Sequence, residues 1–370
     1  MGDGASIQQK VPHNRPEGTL DLKSCGLSAI LGDSMQGGVI LGIESTAHTL
    51  SIGSVNRHGE PTSSHSAFFR PEEGGIHPRE AADHHARKAG GLVKQILESG
   101  IEPSDVDAIA FSQGPGLGPC LRVGASVARA LGSKWDVPIV GVNHCVAHIE
   151  IGRQQCGMDD PVLLYVSGGN TQVIARMAGR YRVLGETLDI GIGNMLDKFA
   201  REQDLQFPGG PKIEKLATEW HSENLDADLD EYALPYAVHG MDLAFSGIFT
   251  AACRLTQRGS PLGAACWSLQ EHSFAACIEV AERAMAHTGK SELLLGGGVA
   301  CNQRIKDMAN IMTEERGGEA GTPHPQFCVD NGSMIATLGR LQLLNTGPTP
   351  LLSSAVNQGL RTDETEITWL

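Results

Sequence analysis

From residue 38 onward, short apolar runs alternate with glycine-rich turns, whereas residues 1–37 mix glycine, proline, glutamine, serine and charges with no period. The first 37 residues are therefore expected to form a flexible N-terminal extension, and Asp3, Glu17, Asp21 and Asp33 disfavour a mitochondrial presequence. GVILGIES (38–45) and TLSIGSV (49–55) predict two strands joined by a small Ser/Thr-rich turn. HPREAADHHARKAGGLVKQILESG (77–100) predicts a helix, with Pro78 suited to its first turn and Gly100 to its end. VDAIAFSQGPG (106–116) predicts a strand running into a Gly-Pro loop, followed by a helix over 121–135 and a strand in VPIVGV (137–142). That succession predicts a mostly parallel sheet covered by helices.

Near residue 161 the plan restarts. PVLLYVSGGNTQVIARM (161–177) repeats the strand, small-residue turn and strand of 38–55, and YRVLGETLD (181–189) adds a third strand. Helices are predicted over 191–205 and 208–222, separated by a Gly-Pro break. SELLLGGGVACNQRIKDMANIM (291–312) reads as strand, triple-glycine turn and helix, and FCVDNGSMIATLGRLQLL (327–344) as a short strand and then a helix entered at Asp330 and Asn331. Strand-to-helix glycine turns are where backbone N–H groups and helix N-termini can face a phosphate. SGGN (167–170) also reads as a plain tight turn, and GGGV (296–299) as close helix–strand packing. With no GxxxxGK[ST], and no GxGxxG after a first strand, P-loop and dinucleotide folds are disfavoured. The expectation is a two-lobed α/β fold like that of actin and the sugar kinases, with a nucleotide cleft between the lobes. The first lobe spans 38–160, the second, with the nucleotide-binding turns, 161–345, and a tail follows over 346–370.

Charge and cysteine content narrow the function. Twenty-nine Lys and Arg against 43 Asp and Glu give a net charge of -14, which argues against coating nucleic acid through a general field. Contact with RNA needs a local basic patch, for which Arg122, Arg129, Lys134 and Arg304 are candidates, or a partner. Nine scattered cysteines without a CxxC fit neither a disulfide framework nor a zinc knuckle, and point to a reducing cytosol. No apolar stretch approaches the roughly 20 residues that span a bilayer, so no membrane association is expected; GLSAIL (26–31) is too short for a signal peptide.

The chemistry concentrates in NHCVAHIE (143–150), which places His144 and His148 one helical turn apart. They read either as two ligands of one metal or as polar groups at a helix N-terminus. A zinc peptidase needs a glutamate directly after the first histidine to reach the metal-bound water, and here that position is Cys145. Glu150 falls on another face, so a metallopeptidase is the weaker metal reading. His77, Glu80 and His84, with His85 beside them, form a second stripe that reads as a polar helix face or, by spacing, as a ligand set. Glu186, Asp189 and the acidic run 226–231 read as solvated surface.

Seven motifs in this order, VNHCVAHIEIGR, YVSGGNTQV, GNMLDKFAR, PGGPKIEKLA, GMDLAFSGI, GGGVACNQR and DNGSMIA, resemble the tRNA threonylcarbamoyladenosine-forming family. The resemblance runs from about residue 38 to the mid 340s and is to the archaeal and eukaryotic branch, the catalytic subunit of the KEOPS complex. It implies one divalent metal ion per subunit, iron with zinc or magnesium as alternatives, held by His144, His148 and Asp330 with Tyr165 nearby as a further ligand. It further implies a nucleotide contacted by Tyr165, Val166, Ser167, Gly168, Gly169 and Asn170, and an adenosine pocket lined by Asp197, Gly210, Glu214 and Asn302. The implied reaction moves the threonylcarbamoyl group from threonylcarbamoyl-AMP to N6 of the adenosine just 3′ of the anticodon in tRNAs reading ANN codons, releasing AMP. Other KEOPS subunits, among them a small atypical kinase, are the implied partners, and the location is cytoplasmic, with the nucleus added in a eukaryote. No residue identifies itself as the base for the attacking amine. A metallopeptidase and a non-catalytic nucleotide-binding regulator are the competing classes. Four features depart from the family pattern: Thr49 stands near a common lysine, the segment between Arg201 and Pro208 is slightly short, the N-terminal extension falls outside it, and no kinase-like HGD segment follows.

Overall fold

A computed structural model describes residues 38–71 and 76–370; the extension expected over 1–37 lies outside the described residues. β1 (Val39–Glu44) and β2 (Thr49–Val55) pair antiparallel, and β2 pairs with β3 (Pro61–Phe68) on its other side. α1 (Pro78–Glu98) has proline in its first turn, where the missing N–H costs nothing, and buries Ala81, His85, Ala89, Leu92 and Ile96. β4 (Val106–Gly114) lies parallel to β1, α2 (Gly118–Trp135) follows, and β5 (Ile139–Asn143) lies parallel to β4. The first sheet thus has the order β3-β2-β1-β4-β5.

β5 runs without a loop into α3 (His144–Cys156), the helix predicted to carry the HxxxH pair. The second lobe opens with β6 (Val162–Val166), β7 (Thr171–Met177) and β8 (Arg180–Glu186), again an antiparallel succession. Helices α4 (Ile192–Glu202) and α5 (Gly209–Glu223), a two-residue hairpin of β9 (Val238–His239) and β10 (Asp242–Leu243), α6 (Ser246–Gln257) and the 27-residue α7 (Leu262–Thr288) follow. β11 (Glu292–Gly296) returns parallel to β6, α8 (Gln303–Glu315) crosses over, and β12 (Glu319–Gly321) lies parallel to β11. Read from β8, the second sheet is β8-β7-β6-β11-β12, which repeats the first sheet strand for strand. The duplicated plan and the two-lobed actin-like fold are therefore present.

One predicted strand is corrected. Residues 325–328 form a short helix, α9 (Pro325–Cys328), because Pro325 sets a helical first turn and the His324 ring accepts from the Gln326 N–H. α10 (Gly332–Thr346) then packs on β1, β2, β4 and α3, so the chain has crossed back to the first sheet before residue 345. The close approach is backbone to backbone: a Cβ on Gly42 would lie 2.2 Å from Ala336 N, and one on Gly53 2.3 Å from Ser333 N. α3 and α10 form a layer between the sheets, and one apolar core there joins Ile40, Val140, Val146, Ile149 and Met334 to Leu163, Tyr165 and Leu294 of the second sheet. Separate cores fill the outer side of each sheet.

Candidate metal centre

α3 is buried along Val146–Gly152 without interruption, which explains why no amphipathic stripe marks it. Its N-terminus is capped by Asn143, whose Oδ1 accepts from the N–H groups of Cys145 at 3.0 Å and Val146 at 3.2 Å. This cap fixes the first turn, and with it the direction of His144 and His148, whose rings stand edge to face with centroids 4.8 Å apart. Asp330 arrives from the other end of the sequence, held just before α10 by Asn331, which caps Met334 N at 2.9 Å, and by Gly332 N–H donating to Ser51 Oγ at 2.9 Å. Asp330 Oδ1 lies 3.2 Å from His148 Nε2 and 3.6 Å from His144 Nε2. One ligand atom from each of the three lies within 4.8 Å of the others, the spacing a single ion would bridge.

A fourth residue completes the group, and sequence reasoning missed it. Glu44 ends β1 and is fully buried. Its Oε1 accepts from Thr46 N at 2.6 Å and Thr46 Oγ1 at 2.5 Å, and its Oε2 accepts from Ser112 Oγ at 2.6 Å. The same Oε2 lies 2.9 Å from His144 Nδ1. This assigns the imidazole proton to Nδ1 and leaves Nε2 of His144 facing Asp330, the arrangement in which a carboxylate orients a metal-binding histidine. The only local signal was a charge closing a strand that is otherwise apolar.

The electrostatics follow from these contacts. Burial opposes the charged form of His144, but the charge and hydrogen bond of Glu44, with Asp330, outweigh it and raise its pKa to about 9. His148 goes the other way: burial dominates the help it receives from Asp330 and lowers its pKa. Asp330 is penalised by burial too, yet the hydrogen bond from His148 and the charges of both imidazoles hold its carboxyl well below the usual carboxylate range. A cation at this point would replace the protons that now balance the carboxylates.

Tyr165, the next-to-last residue of β6, packs on the His148 ring with centroids 5.1 Å apart, and burial pushes its phenol well above its ordinary pKa. Val166 follows, and then the Ser167–Asn170 turn, in which Ser167 N donates to Asn170 O at 2.8 Å and Asn170 N donates to Ser167 Oγ at 3.1 Å. The turn leans on the start of α4: Gly193 N donates to Ser167 O, and Asn194 N to Gly168 O. A Cβ on Gly193 would sit 2.8 Å from Gly168 Cα, so the close approach needs glycine. Gly168 and Gly169 are exposed.

The other four expected pocket residues lie on neighbouring elements and are partly engaged. Asp197 Oδ1 accepts from Gly209 N at 2.7 Å, directly beside Gly210. Glu214 Oε1 accepts from Gln303 N at 2.7 Å, tying α5 to the start of α8. Asn302 caps α8 through Arg304 N and donates from Nδ2 to Gln270 Oε1 at 2.9 Å, so both ends of its amide already have a partner. Gln270, in α7, was not anticipated.

Several sequence readings change. Asp189 is exposed, as expected, but its carboxylate also accepts from the N–H groups of Ile190, Phe245 and Ser246. Of the basic candidates, Arg122 and Lys134 are exposed. Arg129 is spent on the Ser354 carbonyl and hydroxyl, and Arg304 on Glu271. His85 is buried against the Ala47 carbonyl at 3.0 Å, with His84 3.3 Å away, and the stripe on α1 gathers no carboxylate into a ligand set among the described residues. Glu150 is fully buried, accepting from Tyr181 Oη at 2.7 Å and Arg153 Nε at 3.0 Å, and so is unavailable as the base of a peptidase.

Residues 61–337 match the sequence model of the tRNA N6-adenosine threonylcarbamoyltransferase family. The chain belongs to that family. A family member from Methanocella arvoryzae, named tRNA N6-adenosine threonylcarbamoyltransferase, is 53% identical over 336 residues, covering 91% of this chain and 100% of the relative. A probable bifunctional tRNA threonylcarbamoyladenosine biosynthesis protein of Methanosarcina mazei is 52% identical over 90% of this chain, which spans 59% of that relative's length. Among solved structures, HypF of T. kodakarensis superposes with a TM-score of 0.56 over 83% of this chain and 48% of its own, at 14% identity, a likeness of fold. None of the described helices is long and apolar enough to cross a membrane.

Proposed function

We propose that the protein transfers the threonylcarbamoyl group of threonylcarbamoyl-AMP to N6 of the adenosine 3′ of the anticodon in tRNAs reading ANN codons, releasing AMP. The observation that carries this reading is the continuity of the site. Tyr165 packs on His148 of the candidate metal group, and its strand runs directly into the exposed Ser167–Asn170 turn. A molecule that joins an acyl carbonyl to an adenosine phosphate matches that adjacency.

The donor set fits a resident divalent metal: two imidazoles, one tautomer fixed by Glu44, face one carboxylate. Nitrogen-rich ligands favour iron or zinc over magnesium, which prefers oxygen, and iron is the ion proposed here. When bound, it supplies Lewis-acid stabilisation of charge on the carbamoyl and phosphate oxygens. The chain's own residues position the reactants. The electrophile is already a mixed anhydride, so orientation contributes more than activation. Gly168 and Gly169 let a phosphate approach the main chain, and the carboxylates of Asp197 and Glu214 suit ribose hydroxyls. With a net charge of -14, the protein depends on partner subunits, those of a KEOPS-type complex, to present tRNA.

The test is reconstitution. Purified protein with its partner subunits, tRNA and threonylcarbamoyl-AMP is expected to yield the modified nucleoside by mass spectrometry, and His148→Ala is expected to abolish it. Full activity in His148→Ala, or in metal-stripped protein, rejects the reading.

A further inference from the structure

The segment after α10 crosses from one lobe to the other, and it does so at the cap of the metal-bearing helix. On the first lobe it is fastened along β5 and β4. Thr349 N donates to Ile139 O at 2.9 Å, and Asn357 N to Gln113 O at 2.8 Å. Gln113 Nε2 donates back to the Ser353 and Ala355 carbonyls, both at 2.8 Å. The fit is close enough that a Cβ on Gly114 would lie 1.8 Å from Asn357 O. On the second lobe, Ile367 N donates to Gly179 O at 2.9 Å, Arg180 donates to the Asp363 carbonyl at 3.3 Å, and Arg182 pairs with the Asp363 carboxylate at 3.7 Å.

Between these anchorages the segment touches α3, where Asn143 Nδ2 donates to Arg361 O at 2.9 Å. Asn143 is 2% exposed, and its two amide ends have separate tasks: Oδ1 caps the helix that begins at His144, while Nδ2 holds the crossing segment. The Arg361 carbonyl therefore fixes which way the Asn143 amide faces. Asp363, two residues on, grips both Arg361, with Nε 3.0 Å from its Oδ1, and Arg182 of β8.

We propose that residues 347–369 are an interlobe strap, and that Asn143 is a positioning residue through which the strap sets the geometry of His144 and His148. A displacement of the second lobe pulls on Asp363, moves the Arg361 carbonyl and is felt at the cap of α3. The metal group thereby reads the relative placement of the lobes. This inference rests on the metal reading of His144, His148 and Asp330.

The test titrates metal-free full-length protein with Co2+, following visible absorption and calorimetry, in wild type, Asn143→Ser and Asp363→Lys. Serine keeps a neutral cap acceptor but is too short to reach Arg361 O. Lysine at 363 repels Arg182 and Arg361 on the surface, away from the ligands. Asn143→Ser is expected to weaken Co2+ binding about ten- to a hundredfold, the range for residues that orient metal ligands, and Asp363→Lys is expected to weaken it and to alter the Co2+ spectrum. A purely structural strap would lower the melting temperature and leave affinity and spectrum untouched. Wild-type affinity and spectrum in Asp363→Lys overturn the inference, even where Asn143→Ser is too unstable to assay. Failure of the wild type to bind Co2+ overturns the metal reading itself.

Discussion

A carboxylate buried at the end of an apolar strand is costly unless each oxygen is satisfied, and Glu44 meets that condition with Thr46, Ser112 and His144. Its role can be separated from its packing by Glu44→Gln, which keeps the shape. The amide nitrogen would then oppose the Nδ1 proton of His144, driving that proton to Nε2 and onto the face turned toward Asp330. Zinc or cobalt affinity, measured by titration of metal-free protein, is expected to fall about ten- to a hundredfold; unchanged affinity would remove Glu44 from the site. The same residue shows why the centre was only half legible in the sequence. His144 and His148 announce themselves because helical spacing is local, whereas Asp330 lies 182 positions from His148 and Glu44 100 from His144. No periodicity links such positions. Family resemblance supplied Asp330, and nothing supplied Glu44.

At the scale of elements, glycine and aspartate decide how helices meet strands. α10 rests on the β1–β2 hairpin only because Gly42, Gly53 and Gly332 bear no side chains, and that contact delivers Asp330 to the histidines. Gly42→Ala would place a methyl 2.2 Å from Ala336 N and from Gly332 O, which are backbone atoms that cannot swing aside. Overpacking of this kind costs about 1–3 kcal/mol or more, so urea denaturation should show at least that loss together with weaker metal binding. Stability loss with metal affinity intact would mean that Asp330 is placed by something else. Asp189 works similarly in the second lobe, joining the end of β8 to the start of α6. Burial disfavours its charged form, but hydrogen bonds from the N–H groups of Ser246, Phe245 and Ile190 prevail and depress its pKa. A group whose pKa is lower folded than unfolded stabilises the fold above its unfolded value, and that stabilisation is lost as pH falls through the folded value. The melting-temperature difference between wild type and Asp189→Asn should therefore hold steady above about pH 5 and shrink below about pH 4, around the ordinary aspartate range. The position is largely open to solvent, so the effect will be small. A difference that grows in acid would contradict the assignment.

For the whole molecule, the repeated strand-turn-strand pattern made the two-lobed plan legible, because each lobe begins with the same apolar rhythm. The assembly between lobes was not legible. β3 was missed because PTSSHSAF carries almost no apolar alternation, and α7 because its buried Ala, Cys and Ser surround the helix rather than forming a stripe. Nothing local says which sheet a helix will cover, so the return of α10 to the first sheet could only be seen in three dimensions. That return, with α3, builds a core shared by both sheets. Gly152 of α3 allows it, since a Cβ there would lie 2.9 Å from Leu294 of β11. One polar link crosses the same layer: Tyr181 of β8 donates to Glu150 of α3, which Arg153 also holds. A shared core of this kind couples the lobes, so they should unfold in one transition rather than two. Tyr181→Phe removes the crossing hydrogen bond and leaves a fully buried carboxylate with fewer partners, at a cost of about 1–3 kcal/mol. Trp135 ends α2 in the first lobe, while Trp220 and Trp267 lie on α5 and α7 in the second, so single-tryptophan variants can follow each lobe separately. In urea, both probes are expected to shift to lower denaturant by the same amount in Tyr181→Phe. If the second-lobe probes moved and Trp135 did not, the lobes would be independent folding units, and the layer of α3 and α10 would be a contact between finished domains rather than the core that makes them one.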